Sequence, residues 1–256
     1  MKAIESRTVF GLKIKLTDAL ILGALVLYSL LAPLFPSRVR GSWLGLILAN
    51  GLAALIFFPQ WHDQMVVDLE AAVLGVQPTV WIQRFITPWL TEWMMFCYVF
   101  YVLVYPILSL LIYRRHGEEQ NEDYLFHVGL AIVLCTLGFM IFPVAGPMRH
   151  IADLHTVPLR GYFFTAVSEL IRGRIHTPGG TIPSIHCAAA TIMWWAAYRY
   201  SRPAFFVLAP VILSLYVSTV YGRFHYAFDV VAGIAAAFLT MALGPVLIKA
   251  WNRIKL

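Results

Sequence analysis

The sequence predicts an all-α membrane protein, a polytopic membrane helical bundle with six core spans plus an N-terminal accessory helix. Apolar residues make up 60% of the 256 positions and charged residues 12%, whereas a soluble domain has about 25% charged residues. The mean hydropathy of +0.75 agrees with this class. Apolar runs of roughly 20 residues, the length needed to cross a bilayer, recur between short polar segments.

The core spans are predicted from residue 42 onward. A further apolar stretch, at about 19–35, follows a basic N-terminus but lacks a small-x-small cleavage pattern, so we expect a retained anchor rather than a signal peptide. The chain thus divides into an N-terminal anchor or interfacial helix (1–41) and a membrane-embedded domain (42–256). The core spans lie at about 42–60, 93–113, 124–143, 182–199, 203–222 and 227–249.

The charges between the spans predict an orientation. Segments 61–92 and 144–181, with the 223–226 junction, fall on one face, and short basic loops fall on the other. By the positive-inside rule the basic face is cytoplasmic, which places the first face outside, in a cell membrane. A span at 17–35 would put the basic N-terminus outside, so residues 1–35 either lie along the interface or insert against their charge bias. The basic loops carry Arg38, Arg40, Arg114, Arg115, Arg199 and Arg202.

Composition also bears on partners. The net charge of +6 resides mostly near the ends of apolar runs, which is typical of contact with lipid headgroups. We therefore expect membrane lipids as partners and no nucleic acid; the oligomeric state is left open. Cys97, Cys135 and Cys187 stand singly in apolar stretches and are interpreted as buried hydrophobic residues. Segment 61–92, with three tryptophans and several charges, suits an interfacial piece that either shapes lipid access or covers the bundle.

Two polar clusters at the ends of apolar runs suggest chemistry. One is Pro-Ser-Ile-His at 183–186, and the other is Tyr-Gly-Arg-Phe-His-Tyr-Ala-Phe-Asp at 221–229. If the second is helical, His225 and Asp229 lie at i and i+4 on one face, where the carboxylate can hold the imidazole. Ionisable groups are costly at a membrane, so they mark a functional-site hypothesis. Two such histidines suit acid–base and nucleophilic work on a phosphate ester.

The order of three motifs resembles a known family. Arg149, then Pro-Ser-x-His, then His-x-x-x-Asp is similar to the type 2 phosphatidic acid phosphatase superfamily, whose members are membrane lipid phosphatases and phosphotransferases such as the inositol phosphorylceramide synthases. The resemblance covers roughly residues 142–233. The motif segments are 142–149, 179–190 and 219–229, followed by Gly233.

Several positions depart from the family pattern. Phe142 stands where the first motif has lysine, His150 where it has proline, and Ile185 where the second has glycine. Ser218-Thr219 replaces the Ser-Arg that opens the third motif, while an arginine stands instead at Arg223. These departures make the substrate, more than the reaction class, the open question.

The resemblance implies catalytic roles that the residue chemistry permits. His225 is the expected nucleophile, forming a phosphohistidine, and Asp229 orients its ring. His186 is the expected general acid and then base. The alternative is that the His225–Asp229 pair only joins helices or relays protons.

The remaining expected site residues bind phosphate or substrate. Arg149 and Arg223 offer bidentate donors to phosphate oxygens, although Arg149 alone could be an interfacial anchor. Ser184 either donates to phosphate or caps its helix. Arg174 and His176 are weak candidates for substrate binding, and the other basic residues of 150–176 are interpreted as solvated. No cofactor and no metal are expected, because His225 and Asp229 are too few ligands.

Three functions follow. The first is a metal-independent integral membrane phosphatase that acts on a lipid phosphate or diphosphate through a phosphohistidine. The second is a phosphotransferase that moves a phosphoryl-headgroup to a lipid or sugar acceptor. The third is a non-enzymatic transporter with a His–Asp proton relay.

Overall fold

The computed structural model describes residues 61–175 and 179–253, together with 7–9, 12–14 and 16. The spans predicted at 17–35 and 42–60 lie outside these residues. Most of the predicted N-terminal helix lies outside them as well.

The described part of the N-terminal segment is a short hairpin. β1 (Arg7–Val9) and β2 (Leu12–Ile14) pair antiparallel, with Thr8 opposite Lys13. A helix was predicted within 1–41, but these six residues are strand. Their β-branched residues and the two-residue connection containing glycine favour a hairpin.

All other described secondary-structure elements are helices. Short 3₁₀ turns, Ile82–Phe85 and Ala152–Leu154, follow the second and fifth helices. The helices are α1 (Asp63–Leu74), α2 (Pro78–Trp81), α3 (Pro88–His116), α4 (Glu118–Ile141), α5 (Pro147–His150), α6 (Phe163–Ile175), α7 (Ile185–Tyr200), α8 (Arg202–Tyr221) and α9 (Ala227–Trp251).

Four described helices, α3, α4, α8 and α9, are long and apolar enough to cross a membrane. This agrees with an integral membrane protein. A fifth crossing is counted if α1 and the Pro78–Phe85 segment, which meet at a 69° bend, form one broken span or a re-entrant loop. The predicted count of six also includes 42–60 and α7; α7 has 16 residues and is about 24 Å long.

Helix α7 occupies the centre of the bundle. It packs against α3, α4, α8 and α9, and most of its side chains between Cys187 and Ala197 are buried. Small residues make this position possible, because Ala188, Ala189 and Ala190 let neighbouring helices approach closely. Large buried side chains of the surrounding helices, such as Leu108, Tyr124 and Leu215, complete the same core. The central helix thus fixes the position of whatever its first turn carries.

The two ends of the bundle differ in covering and charge. At one end, α3 turns into α4 at Gly117 and α7 turns into α8 at Ser201, and the flanking turns are basic. At the other end, short helices α1, α2, α5 and α6 lie around the α8–α9 junction. Helix α6 is fastened there by Glu92 of α3, which accepts hydrogen bonds from the backbone N–H groups of Tyr162 (2.7 Å) and Phe164 (2.6 Å). This second end carries the candidate site.

Candidate active site

The turn between α8 and α9 presents His225 to the interior. The backbone N–H groups of Phe224 and His225 both donate to the carbonyl of Thr219, at 2.9 and 3.1 Å, which folds the chain back tightly. Arg223 has φ 65° in this turn, a left-handed conformation that costs a non-glycine residue about 1–2 kcal/mol. His225 is consequently 4% exposed.

Asp229 holds one ring nitrogen of His225. Its Oδ2 lies 3.3 Å from His225 Nδ1 and also accepts the backbone N–H of Tyr226 at 3.0 Å, closing a capping box at the start of α9. An ionised Asp229 can only accept at Nδ1, so it places the proton of a neutral His225 on that nitrogen. The lone pair of Nε2 is then available.

His186 occupies the other side of the His225 ring. Its Nδ1 is 3.3 Å from His225 Nε2, and the ring planes are inclined at 65°. With Nε2 of His225 as acceptor, Nδ1 of His186 is the donor of this long hydrogen bond. Tyr98 stacks on His186 with ring centroids 4.9 Å apart, and on Phe224 at 4.1 Å. The two imidazoles and Asp229 form a continuous polar chain, which we call the His–His–Asp relay.

Ser184 caps α7 and does not line the cavity. Its Oγ accepts the backbone N–H of Cys187 at 3.4 Å, and its own backbone N–H donates to the carbonyl of Asp229 at 3.0 Å. The residue is fully buried. Of the two roles considered for Ser184, this geometry supports the cap, which joins the start of α7 to the start of α9.

Burial sets the proton affinity of His225. Desolvation lowers its pKa from the ordinary value to about 4, while a hydrogen bond to the backbone of Thr181 acts in the opposite sense. At neutral pH the imidazole is therefore uncharged, which is the form in which a nitrogen can attack.

A cavity of about 230 Å³, the histidine cavity, opens beside the relay. Gly179 and Gly180 form part of its wall with φ values of 93° and 83°, a conformation that favours glycine. Helix α6 forms another part. The lining residues are Tyr98, Ser168, Ile171, Arg172, Gly179, Gly180, Thr181, His186, Phe224 and His225.

The two polar residues that α6 contributes to this lining were not predicted to belong to the site. Arg172 was interpreted as solvated, and Ser168 was not singled out. Both lie on α6 at i and i+4, so they share a face of that helix. The amphipathic pattern of α6, with apolar residues opposite this polar pair, is the sequence signal that could have found them.

The predicted arginines are separated. Arg149 is exposed and lines a second cavity of about 280 Å³ with Trp61, Asp63, Ala145 and His150, not the histidine cavity. Arg223 is half-buried and donates from Nη2 to the carbonyl of Val157. Burial lowers the pKa of Arg223, and the positive charge of Arg172 lowers it further. Arg172 and Arg223 therefore share one electrostatic environment.

The two weak candidates for substrate binding, Arg174 and His176, are not described equally. The backbone of Arg174 belongs to α6, and His176 lies outside the described residues.

Two buried carboxylates of α1 hold the site from outside. Asp63 accepts the backbone N–H groups of Ala145 and Gly146, both at 2.8 Å, and the hydroxyl of Tyr226 at 3.1 Å. Glu70 accepts the backbone N–H of Phe228 at 3.1 Å, at the start of α9. The sequence predicted an interfacial position for this segment, but not that its carboxylates hold the loops around the site. The acidic residues spaced along an otherwise apolar helix are the signal that could have indicated this.

A sequence profile of the PAP2 superfamily matches residues 64–243, well over half of the chain. The chain belongs to the PAP2 superfamily. The matched range contains the whole His–His–Asp relay, the histidine cavity and nearly all of the described helices. No curated protein and no solved structure matches the chain.

Membership in the PAP2 superfamily indicates phosphatase- or phosphotransferase-type activity on phosphate esters. Within 61–175 and 179–253, no group of three or more His, Cys, Asp or Glu side chains is placed to hold a metal ion.

Proposed function

We propose that this chain is an integral membrane phosphatase that acts on a lipid phosphate or diphosphate through a phosphohistidine on His225, without a metal. The observation that carries the proposal is the His–His–Asp relay at the wall of the histidine cavity. It joins a neutral nucleophile to a proton donor within one hydrogen-bonded chain.

The first half-reaction uses the lone pair of His225. The substrate phosphate displaces the His186 Nδ1–H group from Nε2 of His225. Nε2 then attacks phosphorus from the cavity, and a P–N bond forms as the P–O bond to the leaving alcohol breaks. His186 enters this step as the imidazolium and gives its Nδ1 proton to the departing oxygen, so the alcohol leaves neutral and His186 becomes a neutral imidazole. Asp229 keeps the remaining ring proton on Nδ1 and stabilises the charge that develops on the imidazole.

The second half-reaction returns the enzyme to its starting state. Water attacks the phosphorus of the phosphohistidine, and His186 Nδ1 accepts the proton of that water. The P–N bond breaks, inorganic phosphate leaves, and His225 Nε2 regains its lone pair. Arg223, on the same turn as the nucleophile, is proposed to offset phosphate charge. Arg149 is proposed to bind substrate from the second cavity, which Trp61 and His150 also line.

A lipid substrate is supported by the surroundings of the site. The histidine cavity lies at one end of four apolar helices. Trp89 on α3, Phe163 on α6 and Tyr162 just before α6 are exposed. Tryptophan and tyrosine are enriched at the membrane–water boundary. The basic turns at the opposite end, with Arg114, Arg115 and others, support an external position for the site in a cell membrane.

The test is product analysis with the purified full-length protein. Lipid monophosphates and diphosphates are incubated with and without acceptor alcohols, and the protein is quenched to trap phosphoenzyme. We expect inorganic phosphate, dephosphorylated lipid and an acid-labile phosphoenzyme that His225→Ala lacks. His116→Ala, at the opposite end of the bundle, is the matched control and should keep all three.

Other outcomes decide against the proposal. Phosphoryl transfer to an acceptor without release of phosphate would make the protein a phosphotransferase. If no ester is turned over and protons enter proteoliposomes that contain the protein, a transporter that uses the His–Asp pair as a proton relay would be favoured.

A further inference from the structure

Helix α6 contributes two polar side chains to the wall of the histidine cavity, which both histidines of the relay also line. Ser168 and Arg172 stand one turn apart, with Ile171 beside them in the same wall. The helix lies outside the three motifs that suggested catalysis. Its contribution to the cavity therefore requires its own explanation.

Ser168 is a buried hydroxyl without a partner. The residue is 2% exposed, and its Oγ makes no hydrogen bond to any described residue. Hydroxyls inside helices usually donate to the carbonyl four residues back, and Thr191 and Thr240 do so here, at 2.7 and 2.8 Å. Ser168 does not, although leaving such a group unpaired costs about 1–3 kcal/mol. A ligand oxygen in the cavity would satisfy it.

Arg172 is a partly desolvated cation in the same wall. Its side chain is 28% exposed and pairs with Glu169, which is 40% exposed. A pair this open to solvent is worth about 0–1 kcal/mol, so a phosphate can compete for the guanidinium. Burial lowers the pKa of Arg172, and the pKa of Arg223 falls partly because of the charge on Arg172. An anion beside both guanidinium groups would relieve their repulsion.

We propose that Ser168 and Arg172 form a phosphate-binding subsite, in which both donate hydrogen bonds to non-bridging oxygens of the phosphate ester. This rests on the proposed function and adds to it that α6 supplies phosphate ligands from outside the recognised motifs. A guanidinium and a hydroxyl one helical turn apart span two oxygens of one phosphate. His225 lines the same cavity, so an ester held there can present its phosphorus to Nε2.

The test measures binding of inorganic phosphate to the full-length protein by calorimetry, and its inhibition of aryl phosphate hydrolysis. Arg172→Gln should weaken phosphate binding about 10- to 100-fold, as expected for a charged hydrogen bond, and Ser168→Ala about 3- to 10-fold. Arg84→Gln is the matched control: it removes one positive charge from an exposed side chain stacked over Trp81, and it should leave phosphate affinity unchanged.

Glu169→Gln distinguishes a phosphate-binding role of Arg172 from a purely structural role. If the Arg172–Glu169 pair only fastens α6, breaking it from either side should have the same effect. A phosphate subsite predicts opposite signs, with tighter binding in Glu169→Gln because Arg172 is released. Equal weakening in both variants, or wild-type affinity in Arg172→Gln and Ser168→Ala, overturns the subsite.

The two proposals fail separately. If a phosphate ester is hydrolysed at the same rate after substitution of Ser168 and Arg172, the subsite is refuted and the phosphatase proposal stands. Phosphate binding that depends on both residues, without turnover of any ester, refutes the phosphatase and keeps the subsite. Neither binding nor turnover refutes both.

Discussion

Replacing Gly233 by alanine should separate the two histidines without touching either. Gly233 lies on α9 against the start of α7, and a Cβ there would be 2.5 Å from the carbonyl oxygen of Ser184 and 3.1 Å from Cys187 Cβ. Since such contacts need at least about 3.0–3.4 Å, α7 must move by about 0.5–0.9 Å. The moving backbone carries His186, two residues further along. Its Nδ1 then withdraws from His225 Nε2, starting from 3.3 Å.

The expected loss is mainly in turnover. A displacement near 1 Å at a reacting group can cost about 10²-fold, so we expect kcat to fall roughly 10- to 100-fold. Overpacking should also destabilise the fold by about 1–3 kcal/mol. The assay is hydrolysis of a lipid phosphate in detergent, with thermal unfolding measured on the same preparations.

Two glycines provide matched controls. Gly244→Ala overpacks the same helix, because its Cβ would be 2.3 Å from His127 Nε2, but at the opposite end of the bundle. It should lose stability and keep kcat. Gly129→Ala has nothing within 4 Å and should gain about 0.5–1 kcal/mol without any change in turnover. Wild-type kcat in Gly233→Ala, or equal loss of kcat in Gly244→Ala, would refute the dependence of catalysis on the His186–His225 distance.

Three further outcomes are expected. His225→Ala should abolish turnover of every ester. His186→Ala should spare the burst of alcohol from an aryl phosphate, because that leaving group needs no proton, and should slow a lipid ester about 10²–10⁴-fold. Equal loss with both esters would contradict the assignment of nucleophile and acid. Vanadate should inhibit by bonding to His225 Nε2 while a chelator should not, and recovery of chelated enzyme by Mg²⁺ would indicate a metal mechanism. Because burial lowers the pKa of His225 to about 4, its neutral form persists as pH falls, and the aryl burst should be lost only near pH 4; a midpoint near 6.5 would contradict the neutral nucleophile.

The long helices and the local catalytic geometry could be predicted from sequence. Apolar runs locate α3, α4, α8 and α9 to within a few residues, because a bilayer-length run leaves little freedom of assignment. The contact of His225 with Asp229 was predicted from helical spacing, but His225 lies in the turn before α9. The contact forms because Asp229, in the first turn of α9, reaches back to that turn. Ser184 as a cap follows from its place before an apolar helix.

The remaining site residues depend on tertiary contacts that leave weak local signals. Arg172 reaches the histidine cavity because Glu92, 70 or more residues earlier, fastens the start of α6. Arg149 resembled a phosphate ligand by its place in a motif, yet it lies in another cavity, where the loop before it is held by Asp63. Periodicity reports which face of a helix is apolar, but not which neighbour that face meets. The strands at 7–14 were missed because six residues give too short a pattern.

The carboxylates of α1 have a consequence for how the protein is made. Helix α1 is synthesised before the other described helices and α9 after them, yet Glu70 binds the backbone of Phe228 and Asp63 binds the hydroxyl of Tyr226, 158 and 163 residues later. Contacts of such separation form late, since the intervening chain must first be inserted and packed. Until then Asp63 can bind only the backbone N–H groups of Ala145 and Gly146, and Glu70 lacks the backbone N–H of Phe228. Leaving a buried polar group without a partner is costly. A chain whose synthesis stops before α9 would therefore leave the Glu70 carboxylate without this hydrogen bond, and α1 would be held less firmly than in the complete protein.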